Sequence, residues 1–93
     1  MQVVKRDGRA VDFDRSKIFN AVSKANAAVE ESERVTPEQI EEIICYIEGK
    51  NRKRMLVEDI QDIVERKLMS FGKYTLSKAY IIYRYSRALV RKA

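Results

Sequence analysis

Residues 1–18 read MQVVKRDGRAVDFDRSKI, and the order of residue types in this stretch decides how the chain begins. Gln2-Val3-Val4-Lys5-Arg6 and Ala10-Val11-Asp12-Phe13 are short β-prone runs. Asp7-Gly8 separates them, a dipeptide that accepts the positive φ angles of tight hairpin turns. The pattern predicts a β-hairpin over about residues 2–13. Asp14 then has the character of a helix N-cap, and Ile18, Val22, Ala25 and Val29 recur at spacings that place them on one helical face. A first helix over about 15–28 follows.

Working outward, Glu30 to Val35 is a polar break, and Thr36-Pro37-Glu38-Gln39 reads as a capping box with proline at the first helical position, where its missing N–H costs nothing. Ile40, Ile43, Ile44 and Ile47 form the apolar stripe of a second helix over about 37–48, which Gly49 can stop. Lys50-Asn51-Arg52-Lys53-Arg54 reads as a basic loop. Ile60, Ile63, Val64, Leu68 and Phe71 define a third helix over about 58–71, ended by Gly72. Thr75 can cap a fourth over about 76–91, which carries Leu76, Ala79, Tyr80, Tyr83 and Leu89. The fold expected is α+β and mainly α: one domain over residues 1–93, in which a small N-terminal hairpin covers a four-helix bundle. An isolated hairpin is marginal in water, so this one must lie on the helices, with Phe13 as its anchor.

Composition narrows the chemistry. The 93 residues leave room for one core, and 45% hydrophobic with 35% charged residues is the balance of a chain that folds. Without histidine and with the single cysteine Cys45, most zinc sites, Ser-His-Asp and Cys-His nucleophiles and internal disulfides are excluded. Cys45 is expected to be a small core residue. No apolar run approaches the ~18 residues of a membrane span, and no signal-peptide stretch follows Met1, so a cytoplasmic location is expected.

The net charge of +5 is unevenly distributed, with +3 over residues 1–29, −6 over 30–49 and +8 over 50–93. Tracking a nucleic-acid duplex calls for one continuous basic stripe. Two basic ends flanking an acidic middle instead suit convergence on a compact anion. The glycines at 8, 49 and 72 make neither a Walker A loop nor a Rossmann fingerprint. In Lys5-Arg6-Asp7-Gly8, two adjacent cations meet a turn whose glycine lets backbone amides approach a ligand. The same residues also suit a solvated surface turn. Lys50 to Arg54 is open to three readings: a second phosphate site, a nucleic-acid contact or a solvated loop.

Val3-Val4-Lys5-Arg6-Asp7-Gly8, Val11-Asp12-Phe13-Asp14 and Lys17-Ile18 together resemble the N-terminal signature of the ATP-cone, the nucleotide-sensing domain of ribonucleotide reductase catalytic subunits. Val57-Glu58-Asp59-Ile60-Gln61-Asp62-Ile63-Val64-Glu65 resembles that family's third helix, and Ala79-Tyr80-Ile81-Ile82-Tyr83-Arg84 its last. The blocks keep their order over nearly the whole chain.

The resemblance implies ATP or dATP held between a short sheet and the bundle, with Mg2+ accompanying the phosphates. It assigns phosphate contacts to Lys5 and Arg6 at the Asp7-Gly8 turn and to Arg87, with Val3 beside them. Val11, Asp14, Lys17 and Ile18 fall in the base-binding wall, and Val57 and Gln61 face the ribose. Asp14 can cap the first helix or accept from the adenine amino group, and Tyr83 can pack in the core or stack on the ligand. Val57 departs from the threonine or serine often found there, which removes a hydroxyl from the sugar contact. The implied role is a regulatory module, itself non-catalytic. Its partners are adenine nucleotides and the remainder of a parent reductase, whose class the sequence leaves open with the anaerobic type among the candidates, without specific nucleic-acid binding. The family's transcriptional repressor carries a four-cysteine zinc ribbon ahead of its cone, which this sequence lacks. A basic helical nucleic-acid-binding domain and a nucleotide-independent docking domain are the alternatives.

Overall fold

The computed structural model describes the backbone of residues 1–92 and the side chains of residues 1–86. Its elements are β1 (Gln2–Val4), β2 (Ala10–Asp12), α1 (Arg15–Ala27), a 3-10 turn (Glu31–Glu33), α2 (Pro37–Glu48), β3 (Arg54–Leu56), α3 (Val57–Ser70) and α4 (Tyr74–Lys92). The class is α+β and mainly α, four helices with a small sheet, as the periodicities imply.

The hairpin alone was predicted, but the sheet has three strands in the order β2-β1-β3. β1 pairs antiparallel with β2, Val3 opposite Val11, and parallel with β3, Val3 opposite Met55. Arg54 therefore leaves the expected loop and opens a strand that leads directly into α3. The turn differs from the expected one as well. Gly8 N–H donates to the Lys5 carbonyl (2.9 Å) and Lys5 N–H to the Arg9 carbonyl (2.8 Å), and only Gly8, at φ +87°, is left-handed within the loop. This is a three-residue connection closed by a left-handed glycine, not a two-residue turn with both central residues at positive φ.

Local chemistry fixes the helix ends. Asp14 caps α1 through the Ser16 N–H. At α2, Gln39 N–H donates to Thr36 Oγ1 (3.1 Å) and Thr36 N–H to Gln39 Oε1 (2.8 Å), completing the predicted capping box. Gly72, at φ +77°, ends α3, with Gly72 N–H donating to the Met69 carbonyl and Lys73 N–H to the Leu68 carbonyl. α4 begins at Tyr74, so Thr75 lies inside its first turn instead of capping it.

Val22, Ile40, Ile43, Ile44, Ile47, Val64, Leu68 and Leu76 are fully buried, and the inward faces of all three strands rest on this layer through Val3, Val11 and Met55. Phe13 packs against it too, half-buried. Cys45 is a correction: it is exposed, its Sγ 3.7 Å from Glu41 Oε1, because it falls off the isoleucine stripe. Tyr80 is buried as expected of the fourth helix's apolar face, whereas Tyr74 (68% exposed) and Tyr85 (64%) face solvent. Leu89 lies outside the residues whose side chains are described.

Leu68→Ala is expected to cost about 2–5 kcal/mol, because it opens a cavity in the sealed layer. Thr36→Ala removes one cap acceptor and is expected to cost about 1 kcal/mol. Equilibrium denaturation ranks the two, and an equal or reversed ranking contradicts this account of the core.

Candidate functional site

The parallel pairing of β1 with β3 brings the Lys5-Arg6 turn and the start of α3 to one end of the sheet. Val4 lies opposite Leu56, the last residue of β3, so the turn that follows β1 and the start of α3 emerge at the same end of the sheet. Arg6 Nε is 3.2 Å from Glu58 Oε1, in the first turn of α3. Strand alternation puts Lys5 on the same side as Val3, toward the helices, and Lys5 is half-buried. No side chain caps α3, so its leading N–H groups and the positive end of its dipole face the turn without a side-chain acceptor. Asp7 contributes by shaping the loop: its carboxylate accepts from Arg9 N–H (3.0 Å) and Arg9 Nε (2.7 Å), and these bonds hold it below the usual carboxylate range.

The expected base wall lies at the other end of the strands. Asp12 is paired with Gln2 and sits roughly 10–13 Å from the turn at about 3.3 Å per residue, with Asp14 and the start of α1 beyond it. That separation suits a ligand with a base at one end and phosphates at the other. Asp14 Oδ1 accepts from both Ser16 Oγ (2.5 Å) and Ser16 N–H (3.0 Å). These bonds, with the Lys17 charge, hold its carboxyl below the usual range. The cap uses Oδ1 alone, so it does not occupy Oδ2. Lys17 is exposed. Beneath the sheet, Val3 (9% exposed), Ile18 (8%) and Met55 (7%) close the space between strands and helices. Cavities of about 430 and 290 Å³ open elsewhere, and neither is lined by Lys5 or Arg6.

Val57 and Gln61 lie one turn apart on a single face of α3, and Glu65 continues that face. Gln61 Oε1 accepts from Arg84 Nη1 (3.0 Å), while Arg84 Nε donates to Glu65 Oε1 (2.7 Å). Arg84 is thus a described cation that α4 brings to this face, and sequence reasoning did not single it out. The signal was there: Gln61 and Glu65 at helical spacing form a pair of acceptors that fits a guanidinium. Tyr83 is half-buried with Lys24 Nζ 5.9 Å from its ring, so it joins α4 to α1. The Arg87 side chain lies outside the described residues.

Among the described residues no group of three or more His, Cys, Asp or Glu is placed to hold a metal ion, and no helix is long and apolar enough to cross a membrane. Comparison with known proteins adds an independent line. The family model described as ATP cone domain matches residues 1–89. The chain is 39% identical to the ribonucleoside-diphosphate reductase subunit alpha of Chlamydia trachomatis, with 98% of this chain and 10% of that protein covered. It is 38% identical to a vitamin B12-dependent ribonucleoside-diphosphate reductase of Thermoplasma acidophilum, covering 98% of this chain and 12% of that one. With the anaerobic ribonucleoside-triphosphate reductase of Haemophilus influenzae the identity is 37%, over 97% of this chain and 13% of that one. The chain spans about a tenth of the length of these curated relatives.

The Asp14 cap sets a pH dependence. Its folded carboxyl titrates below the ordinary 3.8, so its contribution to stability is complete above that value and disappears as pH falls through the lowered one. The wild-type advantage over Asp14→Ala in thermal melts is expected to stay constant down to about pH 3.8 and to shrink below it. An advantage that grows on acidification contradicts the assignment.

Proposed function

The chain belongs to the ATP-cone domain family, and from that premise we propose that it is the adenine-nucleotide effector module of a ribonucleotide reductase catalytic subunit, itself non-catalytic and cytoplasmic. The observation that carries this reading is that the Lys5-Arg6 turn, closed by the left-handed Gly8, emerges at the end of the sheet where α3 begins without a side-chain cap, with Arg6 3.2 Å from Glu58. Guanidinium binds phosphate oxygens in bidentate fashion, and free N–H groups at a helix start complement the same charge. In the proposed pose the triphosphate lies at the turn and the ribose follows the Val57–Gln61 face. The base points toward Asp14, whose Oδ2 accepts from the adenine amino group. Val3, Val11, Lys17 and Ile18 wall the base side, Tyr83 borders the site from α4, and Arg87 supplies a further cation. With no metal-ligating cluster among the described residues, Mg2+ would be held by the phosphates that these residues position.

Two costs shape binding. Glu58 neutralises Arg6 in the free chain and must yield to a phosphate oxygen. The layer of Val3, Ile18 and Met55 is closed, so the sheet must part from α1 and α3 to admit a base. A ligand that separates packed layers binds one arrangement better than the other, which is how effector occupancy can bias a subunit equilibrium. ATP and dATP differ by one hydroxyl, and hydrogen bonds of that kind are worth only about 0.5–1.5 kcal/mol. The equilibrium they bias must therefore be nearly balanced. The relatives are named as reductases of different kinds, one vitamin B12-dependent and one anaerobic, which supports a role separable from the radical chemistry of the parent.

Calorimetry with ATP, dATP and GTP tests the reading. Both adenine nucleotides are expected to bind in a manner that needs Asp14 and the turn, with GTP excluded from that site. Lys5→Ala combined with Arg6→Ala is expected to weaken ATP by more than about tenfold, as loss of two charged phosphate contacts implies. Equal heats for all three nucleotides from this site, or none, would end the proposal. Glu58→Gln is expected to tighten ATP binding, because it removes the carboxylate that competes for Arg6; weaker binding places the phosphates elsewhere.

A further inference from the structure

Lys67 lies about 15 Å along α3 from Val57, and there α2 and α3 frame a cleft of about 290 Å³ lined by Tyr46, Lys50, Ile63, Arg66, Lys67 and Ser70. Lys50 Nζ is 4.9 Å and Lys67 Nζ 4.3 Å from the centroid of the same ring, that of Tyr46. Among the described residues none of Lys50, Arg66 and Lys67 forms an ion pair. Of the acids nearby in sequence, Glu48 is engaged by Arg15 and Glu65 by Arg84, and neither Asp62 nor Glu42 pairs with these three cations. Three like charges thus share one concavity without a counterion from the described chain. The cation–π contacts orient the two ammonium groups but leave their mutual repulsion in place. A multivalent anion seated among them would turn that repulsion into attraction.

We propose that this cleft is a second anion site, which takes the phosphate chain of a polyphosphate regardless of any base attached to it. Two observations select that ligand. Ammonium groups already lie over the Tyr46 ring, which therefore offers poor stacking to a purine. Three cations line the cleft around that ring, so a phosphate chain meets positive charge there while a nucleoside gains no comparable partner. Arg66 supplies bidentate contacts and the two lysines supply point charges. The site shares no lining residue with the hairpin turn, so it stands whether or not adenine nucleotides bind there.

The test is an amide chemical-shift titration of the labelled chain with inorganic tripolyphosphate, ATP and GTP. Saturable shifts at Tyr46, Ile63 and Ser70 are expected with all three ligands, at similar midpoints that rise steeply with salt. They are expected to persist in the Lys5→Ala and Arg6→Ala double variant. Lys50→Gln with Lys67→Gln is expected to raise the midpoint by about tenfold or more while the melting temperature stays unchanged. Should that pair lower the melting temperature, Arg66→Gln, which leaves the Tyr46 contacts intact, is expected to give the same loss. Absence of saturation at millimolar tripolyphosphate overturns the proposal, as do shifts indifferent to these substitutions. A response to ATP without one to tripolyphosphate or GTP overturns it too, by showing that the cleft reads the base.

Discussion

The parallel pairing of β1 with β3 is the contact on which the remaining architecture depends. Without it, the Lys5-Arg6 turn would be a solvated hairpin tip and the start of α3 an uncapped helix end elsewhere on the surface. With Val3 against Met55 and Val4 against Leu56, two remote segments bring their charges and donors to one end of one sheet. The same register buries Val3 and Met55 over the isoleucine layer of α2, so burial of the strands and assembly of the site are one event. A one-residue slip would send both side chains into solvent.

Much of this was legible from local chemistry. Thr36-Pro37-Glu38-Gln39 announces the start of α2 because each residue has a separate reason to be there. Gly72 marks the end of α3 for an equally local reason, its left-handed φ. β3 was not legible. Arg54-Met55-Leu56 has no alternating partner within its own segment and follows a run of basic residues, so its pairing exists only once β1 lies beside it. Cys45 failed for a related reason: adjacency to a buried residue does not set the angle at which a side chain projects. For the site, the turn and the α3 face were readable as motifs. The Arg84 bridge was legible only in its acceptors, Gln61 and Glu65 at helical spacing, because the choice of Arg84 as their partner depends on how α3 and α4 cross.

The charge pattern takes on a meaning in three dimensions that net charge does not convey. Part of the acidic middle segment is turned inward to structural use, with Arg15 holding both Glu41 and Glu48 and so fastening the start of α1 to α2. The Arg15 guanidinium is correspondingly harder to deprotonate, through its hydrogen bonds to Glu48 and then Glu41. Tyr80 shows the cost of burial: its hydroxyl is pushed up to about 12, chiefly by desolvation, which outweighs the opposing charge of Arg84. The basic residues divide differently. Arg6, Arg9, Arg15 and Arg84 all take part in ion pairs, whereas Lys50, Arg66 and Lys67 around Tyr46 form none among the described residues.

The order of strands in the sheet has a consequence for biosynthesis. β1 is made first yet occupies the middle position, with β2 on one side and β3 on the other. A nascent chain emerging from the ribosome can form the β1–β2 ribbon early, but such a ribbon is marginal by itself. It must stay unfastened until translation has passed Leu56 and both α1 and α2 have been produced. The sheet therefore closes late and joins the two ends of the polypeptide's working surface in one step. Until then, the charges of Lys5, Arg6 and Arg9 at the end of the strand disfavour its pairing with other chains.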